Sequence, residues 1–149
     1  TLAELNFGAY IEVLASKLFV SYCVDPVRIR LEMSVEPINL NLDQSIPCGL
    51  ILNELISNAL KHAFSDGRDG TVRISLAVSE GGEISLCVAD DGRGLPADFS
   101  MSRSNTLGHQ VVSTLIRQLG ARLTVQGDNG ARFTFTWKLP ENRAAAVPA

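Results

Sequence analysis

Three polar side chains of one predicted helix, Glu54, Asn58 and Lys61, have the types and the spacing to bind a metal ion and a phosphate together. At about 100° per residue, the three positions fall within roughly 60° of one another on the helix surface. A carboxamide oxygen can ligate a metal ion, and an ammonium group one turn away can bind a phosphate. An ordinary solvated helix face carries the same residue types, so this pattern alone leaves both interpretations open.

A second candidate is the segment from Val88 to Pro96, in which Asp90 closes a predicted buried strand and is followed by Gly92 and Gly94. Glycines at this spacing allow the backbone to approach a planar ligand closely. The Asp90 carboxylate could then accept a hydrogen bond from an exocyclic amine such as that of adenine. An ordinary Asp-Gly turn is the alternative, whereas an EF-hand loop is excluded because its alternating ligands and terminal Glu are absent.

Two further segments follow. Residues 104–112 form a polar loop that leads into a helix, with Gly108 in the first turn. Unpaired backbone N–H groups and the helix dipole favour phosphate at such a place, although a plain capped helix is the alternative. Residues 127–133, taken alone, favour an ordinary hairpin turn. Walker A, Rossmann and Gly-x-Ser-x-Gly motifs are absent, and two histidines, His62 and His109, do not support a His-rich or triad site.

The elements that must position these segments follow from the hydrophobic pattern. Helical spacing predicts helices over about 6–22, from 43 or 44 to 64, and over 107–119. Asp43 or Ser45 is the expected cap of the second helix, with Pro47 in its first turn, and Gly120 should stop the third. Strict alternation predicts strands over 27–35, 72–76, 84–88, 123–125 and 133–137. Loops are expected at 65–70, at Gly81-Gly82, from Asp90 to about Thr106 and at 128–130.

This order predicts an α+β fold, a two-layer α/β sandwich in which a mixed sheet of about five strands carries three helices on one face. The chain has 149 residues, with 46% hydrophobic and 19% charged residues. These values predict one globular domain over residues 1–140, with residues 141–149 as a frayed tail. The chain opens at Thr1 without an initiator Met, which predicts a piece of a longer protein.

Charge and cysteine content exclude several classes of protein. The net charge is -3 and the basic residues are scattered, so a nucleic-acid partner is not expected. Cys23, Cys48 and Cys87 are widely spaced and odd in number, which predicts buried free thiols in a reducing cytosol. No apolar run reaches the length of a membrane span and no signal peptide is visible, so a cytoplasmic location is expected.

Taken in order, the four segments resemble the N box and the three glycine boxes of the GHKL ATPase superfamily. The specific resemblance is to the ATP-binding catalytic domain of bacterial sensor histidine kinases. Asn53 to Phe64 resembles the N box of the HWE-related subgroup, which favours Lys-His-Ala-Phe at its end. Residues 90–94 resemble Asp-x-Gly-x-Gly, Leu107-Gly108 matches the second half of Gly-Leu-Gly, and residues 130–133 match Gly-Thr-x-Phe. The resemblance runs from roughly Phe7 to Pro140 and implies the Bergerat fold of these ATPases.

The resemblance implies roles for the helix that carries the N box. Asn58 would coordinate a Mg²⁺ ion that bridges the ATP phosphates, and Glu54 would lie near the γ-phosphate as a polarising or base-like group. Lys61 would contact phosphate, and the neighbouring His62 would be structural or close to the nucleotide.

The other boxes acquire roles in the same way. Asp90 would bind the adenine amine, with Gly92 and Gly94 shaping the pocket, while Leu107 and Gly108 would meet the phosphates at the helix start. Residues from about Pro96 to Thr106 would form a short ATP lid.

Three departures from the family pattern stand out. Thr106 replaces the first glycine of the second glycine box, which changes the expected lid geometry. The Trp-x-Glu that names the HWE group is missing after Asp90, so the chain is placed beside that group. The acceptor histidine of these kinases lies on a separate helical hairpin, and neither His62 nor His109 fits that role.

The implied function is transfer of the ATP γ-phosphoryl group to a histidine on a dimerisation domain of the same kinase, with ATP and Mg²⁺ as cofactors. A response regulator would act downstream, and this domain would contact neither nucleic acid nor membrane. Two alternatives stay open: an anti-sigma-factor-type serine kinase, and a degenerate nucleotide-binding interaction module without turnover. A gyrase-type ATPase is less favoured because no transducer domain follows Trp137.

Overall fold

The computed structural model describes residues 3–22, 24–96, 99–100 and 107–139. The helices are α1 (Phe7–Ser21), α2 (Leu42–Asn58) and α3 (Leu107–Leu119), and a π-helical turn, Ala59–Ala63, continues α2. The strands are β1 (Glu4–Asn6), β2 (Ile29–Val35), β3 (Asn39–Asn41), β4 (Gly70–Val78), β5 (Glu83–Asp90), β6 (Arg122–Gln126) and β7 (Ala131–Lys138). Cys23, Thr106, the predicted tail and most of the predicted lid lie outside the described residues.

The central layer is a five-stranded mixed sheet in the order β2-β4-β5-β7-β6. β2 runs parallel to β4, with Leu31 opposite Val72, whereas the remaining neighbours are antiparallel. A parallel pair needs a crossover connection, which β3 and α2 provide. β1 and β3 form a separate antiparallel pair with Leu5 opposite Leu40. The predicted two-layer sandwich is confirmed, and the small second sheet is an addition to it.

One face of the large sheet packs against the helices and forms the core. The buried strand residues alternate along β4 and β5: Val72, Ile74, Leu76, Ile84, Leu86 and Val88. The buried stripe of α2 includes Ile51, Leu52, Leu55 and Ile56. Each fully buried side chain of this kind contributes about 1.5–3 kcal/mol. This stripe fixes the rotation of α2 about its axis, so Glu54 and Asn58 lie at the edge of the helix layer, each half-buried.

The start of α2 differs from the prediction. Asn41 caps the helix, because its side chain accepts a hydrogen bond from the backbone N–H of Gln44 at 3.0 Å. Asp43 and Ser45 therefore lie inside the helix, and Pro47 lies beyond the first turn. The prediction was wrong because β3 is too short to show alternation, so the chain seemed to enter the helix later than it does.

The strand predicted over 27–35 begins later than expected, and an apolar residue of α3 is exposed. Val27 is 87% exposed and precedes β2, since the Asp25 carboxylate accepts from its N–H at 3.0 Å and forms a turn there. Val111 is exposed on α3, where Val112 and Ile116 form the buried stripe. The predicted stop at Gly120 is confirmed by its left-handed φ of 71° and by the hydrogen bond from Ala121 N–H to the Ile116 carbonyl.

The remaining expectations concern chemistry outside the site. Cys48 and Cys87 are buried free thiols, as predicted. Burial raises the pKa of the Cys48 thiol far above its usual range. Among the described residues, no helix is both long and apolar enough to cross a membrane.

Candidate functional site

A cavity of about 510 Å³ opens where α2 ends, and it brings together six of the residues singled out from the sequence. Glu54, Asn58, Lys61, His62, Asp90 and Gly94 all line it. The helix and the loop after β5 are separate in the sequence, and α2 packs against β5 in the fold. The cavity therefore has a carboxylate at one wall and a carboxylate–carboxamide pair at another.

Asp90 ends β5 and is held by two backbone donors. Its Oδ1 accepts from Gly92 N–H at 2.9 Å and from Ala131 N–H at 3.3 Å. No donor from the described residues reaches Oδ2, so that oxygen remains to accept from a ligand. Burial raises the pKa of the Asp90 carboxyl, the two backbone hydrogen bonds oppose this, and the neighbouring Asp91 adds a smaller upward contribution.

Hydrogen bonds hold the loop after Asp90 against the end of the helix that begins with α2. Arg93 N–H donates to the Ala63 carbonyl at 2.9 Å, and its guanidinium donates to the Ser65 hydroxyl at 2.8 Å. A Cβ at Gly92 would collide with the backbone carbonyl of Ala63. Glycine is therefore required because two backbone segments are in contact at this point. The loop after Asp90 and the helix that carries Asn58 are thus held directly against each other.

Gly94 continues the same loop in a conformation that glycine favours, with a φ of 81°. An added Cβ would also approach the Gly127 carbonyl of the β6–β7 turn to 2.6 Å. The next residue, Leu95, donates its N–H to that carbonyl at 3.3 Å. The hairpin turn, together with Ala131, thus helps to fix Asp90. Taken alone, the sequence of this turn predicted an ordinary hairpin, whereas the family resemblance matched residues 130–133 to a glycine box.

The first turn of α3 supplies the opposite wall. Asn58 Nδ2 donates to His109 Nε2 at 3.0 Å. An amide nitrogen cannot accept a hydrogen bond, so this arrangement requires Nε2 to be unprotonated and the neutral ring to carry its proton on Nδ1. Burial lowers the pKa of His109, the nearby Glu54 carboxylate opposes this shift, and His62 adds to it.

Gly108 precedes this histidine and packs against Glu54. A Cβ on Gly108 would overlap the Glu54 carboxylate, so glycine leaves room for that carboxylate beside the helix start. Leu107 begins α3 and is 75% exposed, and neither it nor Gly108 lines the cavity itself. Their predicted contact with phosphates stays a prediction.

Lys61 and His62 lie on the π-helical turn, and both are exposed. π-Helical turns widen a helix locally and often occur at functional sites. Lys61 Nζ lies 5.9 Å from the centroid of the Tyr22 ring, in cation–π contact. The ammonium group therefore has a resting partner outside the cavity, although the residue lines it.

Apolar side chains complete the cavity, and the sequence reasoning missed them. Phe99 packs edge-on against Phe133 with ring centroids 6.1 Å apart, and edge-on against His109 at 5.6 Å. Leu55 and Leu95 also line the cavity. A mostly apolar cleft with a few polar groups suits a flat ligand of nucleobase size.

The sequence model of the histidine kinase-, DNA gyrase B- and HSP90-like ATPase family matches residues 43–143 of this chain. The chain belongs to this ATPase family. Membership implies ATP binding, and it confirms the family expected from the sequence.

Individual proteins that are similar to this ATPase domain are histidine kinases. Blue-light-activated histidine kinase 2 of Erythrobacter litoralis is 32% identical over 121 residues, which cover 81% of this chain and 34% of that protein. Sensor histidine kinase PdtaS of Mycolicibacterium smegmatis is 38% identical over 78 residues, or 52% of this chain and 15% of that protein. The match thus covers about a third of the first relative and 15% of the second.

Solved structures support the fold of the ATPase domain. The histidine kinase domain of the Erythrobacter litoralis blue-light-activated kinase superposes with a TM-score of 0.86 at 28% identity, covering 94% of this chain and 64% of that chain. The mycobacterial sensor histidine kinase MprB superposes with a TM-score of 0.72 at 18% identity, covering 93% and 97%, which supports the fold alone.

A second, larger cavity of about 750 Å³ in this ATPase domain is also lined by Asp90. Arg73, Asp91, Asn129 and Arg132 line it, and Glu54 and Asn58 do not. Asp91 has a structural partner there, since its Oδ1 accepts from Thr71 N–H at 2.8 Å. The smaller cavity therefore contains both the Asp90 carboxylate expected to bind adenine and the Glu54 and Asn58 side chains expected near the phosphates.

Proposed function

We propose that ATP binds in the 510 Å³ cavity with its adenine at Asp90 and its phosphates at Glu54 and Asn58. The observation that carries this proposal is the pairing of these groups across one cavity. Oδ2 of Asp90 can accept from the exocyclic amine, while Oδ1 is already occupied by Gly92 and Ala131. The rings of Phe99 and Phe133 supply apolar area for the base.

The donor set suits a Mg²⁺ ion that enters with the nucleotide. Mg²⁺ prefers oxygen ligands and commonly takes only one or two from the protein, with phosphates and waters supplying the rest. Asn58 Oδ1 and the Glu54 carboxylate lie one turn apart on the same wall. Among the described residues, no group of three or more His, Cys, Asp or Glu side chains could hold a metal ion unaided. Asn58 would ligate the ion, which would neutralise charge on the phosphates.

The reaction that we propose is transfer of the γ-phosphoryl group to a histidine on a dimerisation domain of the same kinase. The acceptor nitrogen would form a bond to the γ-phosphorus as the bond to the bridging oxygen breaks and ADP leaves with that electron pair. Glu54 would polarise the acceptor or take its proton, and Lys61 would contact phosphate. Catalysis of this kind depends mainly on positioning and charge neutralisation. The histidine-kinase names of the relatives support this proposal.

A reconstituted phosphotransfer assay tests the proposal. The chain would be mixed with radiolabelled ATP, Mg²⁺ and the dimerisation domain of a related histidine kinase. We expect label on the added domain that is lost in acid and kept in alkali, which is the behaviour of phosphohistidine. Glu54→Gln should reduce the label at least tenfold, whereas Glu80→Gln, on the exposed turn before β5, should not change it. ATP binding without any transfer to several such domains would favour the interaction module without turnover.

A serine kinase of the anti-sigma-factor type is the second candidate. Anti-sigma F factor of Heyndrickxia coagulans is 29% identical over 76 residues, which cover 51% of this chain and 51% of that protein. The same assay with a protein serine acceptor separates the two, because phosphoserine survives acid. Acid-stable label on serine would replace the histidine-kinase proposal.

The cellular setting is part of the same proposal. We infer a cytoplasmic domain that feeds a response regulator and contacts neither membrane nor nucleic acid. The absence of a membrane-spanning helix among the described residues and the net charge of -3 support this inference.

A further inference from the structure

The side-chain amide of Asn58 can adopt two orientations, and only one of them directs its oxygen towards a bound cation. Its oxygen can ligate a metal ion, whereas its NH₂ group would repel one. The two orientations differ by a half-turn of the side-chain amide and occupy nearly the same volume. Something outside Asn58 must therefore select the orientation.

His109 can make that selection when its ring carries the proton on Nδ1 and leaves Nε2 as an acceptor. Nδ2 of Asn58 donates to Nε2 of His109 at 3.0 Å, so Oδ1 lies on the other side of the amide plane. In that tautomer, the reversed orientation would place the amide oxygen against the lone pair of Nε2. The Phe99 ring packs edge-on against the imidazole at 5.6 Å, and Gly108 leaves room for α3 to begin beside Glu54.

We propose that His109 is a positioning residue whose neutral Nε2 orients the Asn58 carboxamide so that its oxygen is presented to the nucleotide-bound Mg²⁺. This rests on the proposed assignment of Asn58 as a cation ligand. His109 also lines the cavity, and in this role it acts on the ion through Asn58. The proposal gives a binding task to a residue that the sequence motifs did not single out.

The effect can be measured as metal coupling. The ratio of the ATP dissociation constant in EDTA to that in saturating Mg²⁺ reports how much the ion contributes to binding. His109→Leu removes the acceptor, so we expect this ratio to fall about 3- to 10-fold, the size of one ordinary hydrogen bond. The affinity in EDTA should fall less than the affinity in Mg²⁺, because His109 also lines the cavity. His109→Gln, whose amide oxygen can replace Nε2, should restore the ratio to within about twofold.

A double-mutant cycle and one spectrum of the unaltered chain complete the test. In an Asn58→Ala background, His109→Leu should change the ratio no further, because its partner is gone. The ¹⁵N spectrum of the unaltered chain, recorded with the ring neutral, should show His109 protonated at Nδ1. This spectrum remains decisive even if His109→Leu does not fold.

The outcomes separate the two proposals. A ratio of one in the unaltered chain would overturn the assignment of Asn58 as a cation ligand. A large ratio in the unaltered chain that His109→Leu leaves intact would overturn the positioning role alone. Protonation at Nε2, or an equal loss of affinity in EDTA and in Mg²⁺, would likewise show that His109 does not act through the amide.

Discussion

Asp90→Asn is a nearly isosteric change that isolates one atom of the proposed adenine site. An amide oxygen can keep both backbone hydrogen bonds of Oδ1, from Gly92 at 2.9 Å and from Ala131 at 3.3 Å. The loop should therefore keep its shape. Oδ2 is replaced by an NH₂ group that faces the exocyclic amine of adenine. Both groups are hydrogen-bond donors, so the hydrogen bond between Oδ2 and the amine is lost.

The magnitude follows from the hydrogen bond that is lost. A hydrogen bond to a charged group is worth about 1.5–3 kcal/mol, which corresponds to a roughly 10- to 150-fold weaker affinity for ATP. Inosine triphosphate carries an oxygen in place of the amine and can accept from the new NH₂ group. The preference for ATP over inosine triphosphate should therefore shrink or reverse in Asp90→Asn.

Isothermal titration calorimetry with both nucleotides in Mg²⁺ is the direct assay. Asp91→Asn is the matched control, because it makes the same charge change one residue away, keeps the acceptor for Thr71 N–H and does not line the smaller cavity. It should alter neither affinity by more than about twofold. A folded Asp90→Asn variant with unchanged affinity for both nucleotides would refute the placement of adenine at Asp90.

Three further predictions follow from the same contacts. Burial raises the pKa of the Asp90 carboxyl, so the ionised side chain destabilises the folded state at pH 7. Asp90→Asn removes this charge and should therefore raise the melting temperature at pH 7. This gain should vanish as the pH falls below the ordinary carboxyl pKa, where Asp90 is protonated in both the folded and the unfolded state. Gly92→Ala should lower the unfolding free energy in urea by about 1–3 kcal/mol because its Cβ meets the Ala63 backbone. In the control Gly81→Ala, the Cβ lies 3.9 Å from the Ser79 hydroxyl oxygen, an ordinary contact, and the unfolding free energy should change by less than about 0.5 kcal/mol. Gly108→Ala should displace the flexible Glu54 carboxylate, reducing phosphotransfer at least tenfold while ATP affinity falls less than about threefold.

The local parts of the site were predictable because they depend on spacing along one element. The helical period placed Glu54 and Asn58 on one face, and the alternation of β5 placed Asp90 at a strand end. The π-helical turn was not predictable, because no residue pattern in Ala59–Ala63 distinguishes it from an α-helix. β1 and β3 were missed because three residues cannot establish a period.

The spacing of residues along the sequence could not predict contacts between distant segments. Asn58 and His109 are 51 residues apart, and their hydrogen bond depends on how α3 docks against α2. Ala131 reaches Asp90 across 41 residues because β7 pairs with β5. The resemblance to a family supplied the order of the boxes, but it assigned no partner to either histidine.

The two walls of the cavity are held by different kinds of contact, and this difference has a consequence. The wall at Asp90 is fixed by backbone groups: Gly92 and Ala131 N–H bind its carboxylate, and the Ala63 carbonyl binds the loop. The wall at Glu54 and Asn58 meets α3 through side chains, at Gly108 and His109. Substitutions at the first wall should therefore change stability together with binding of the base. Substitutions at the second can change metal coupling and transfer while the base still binds, which is why those two readouts must be measured separately.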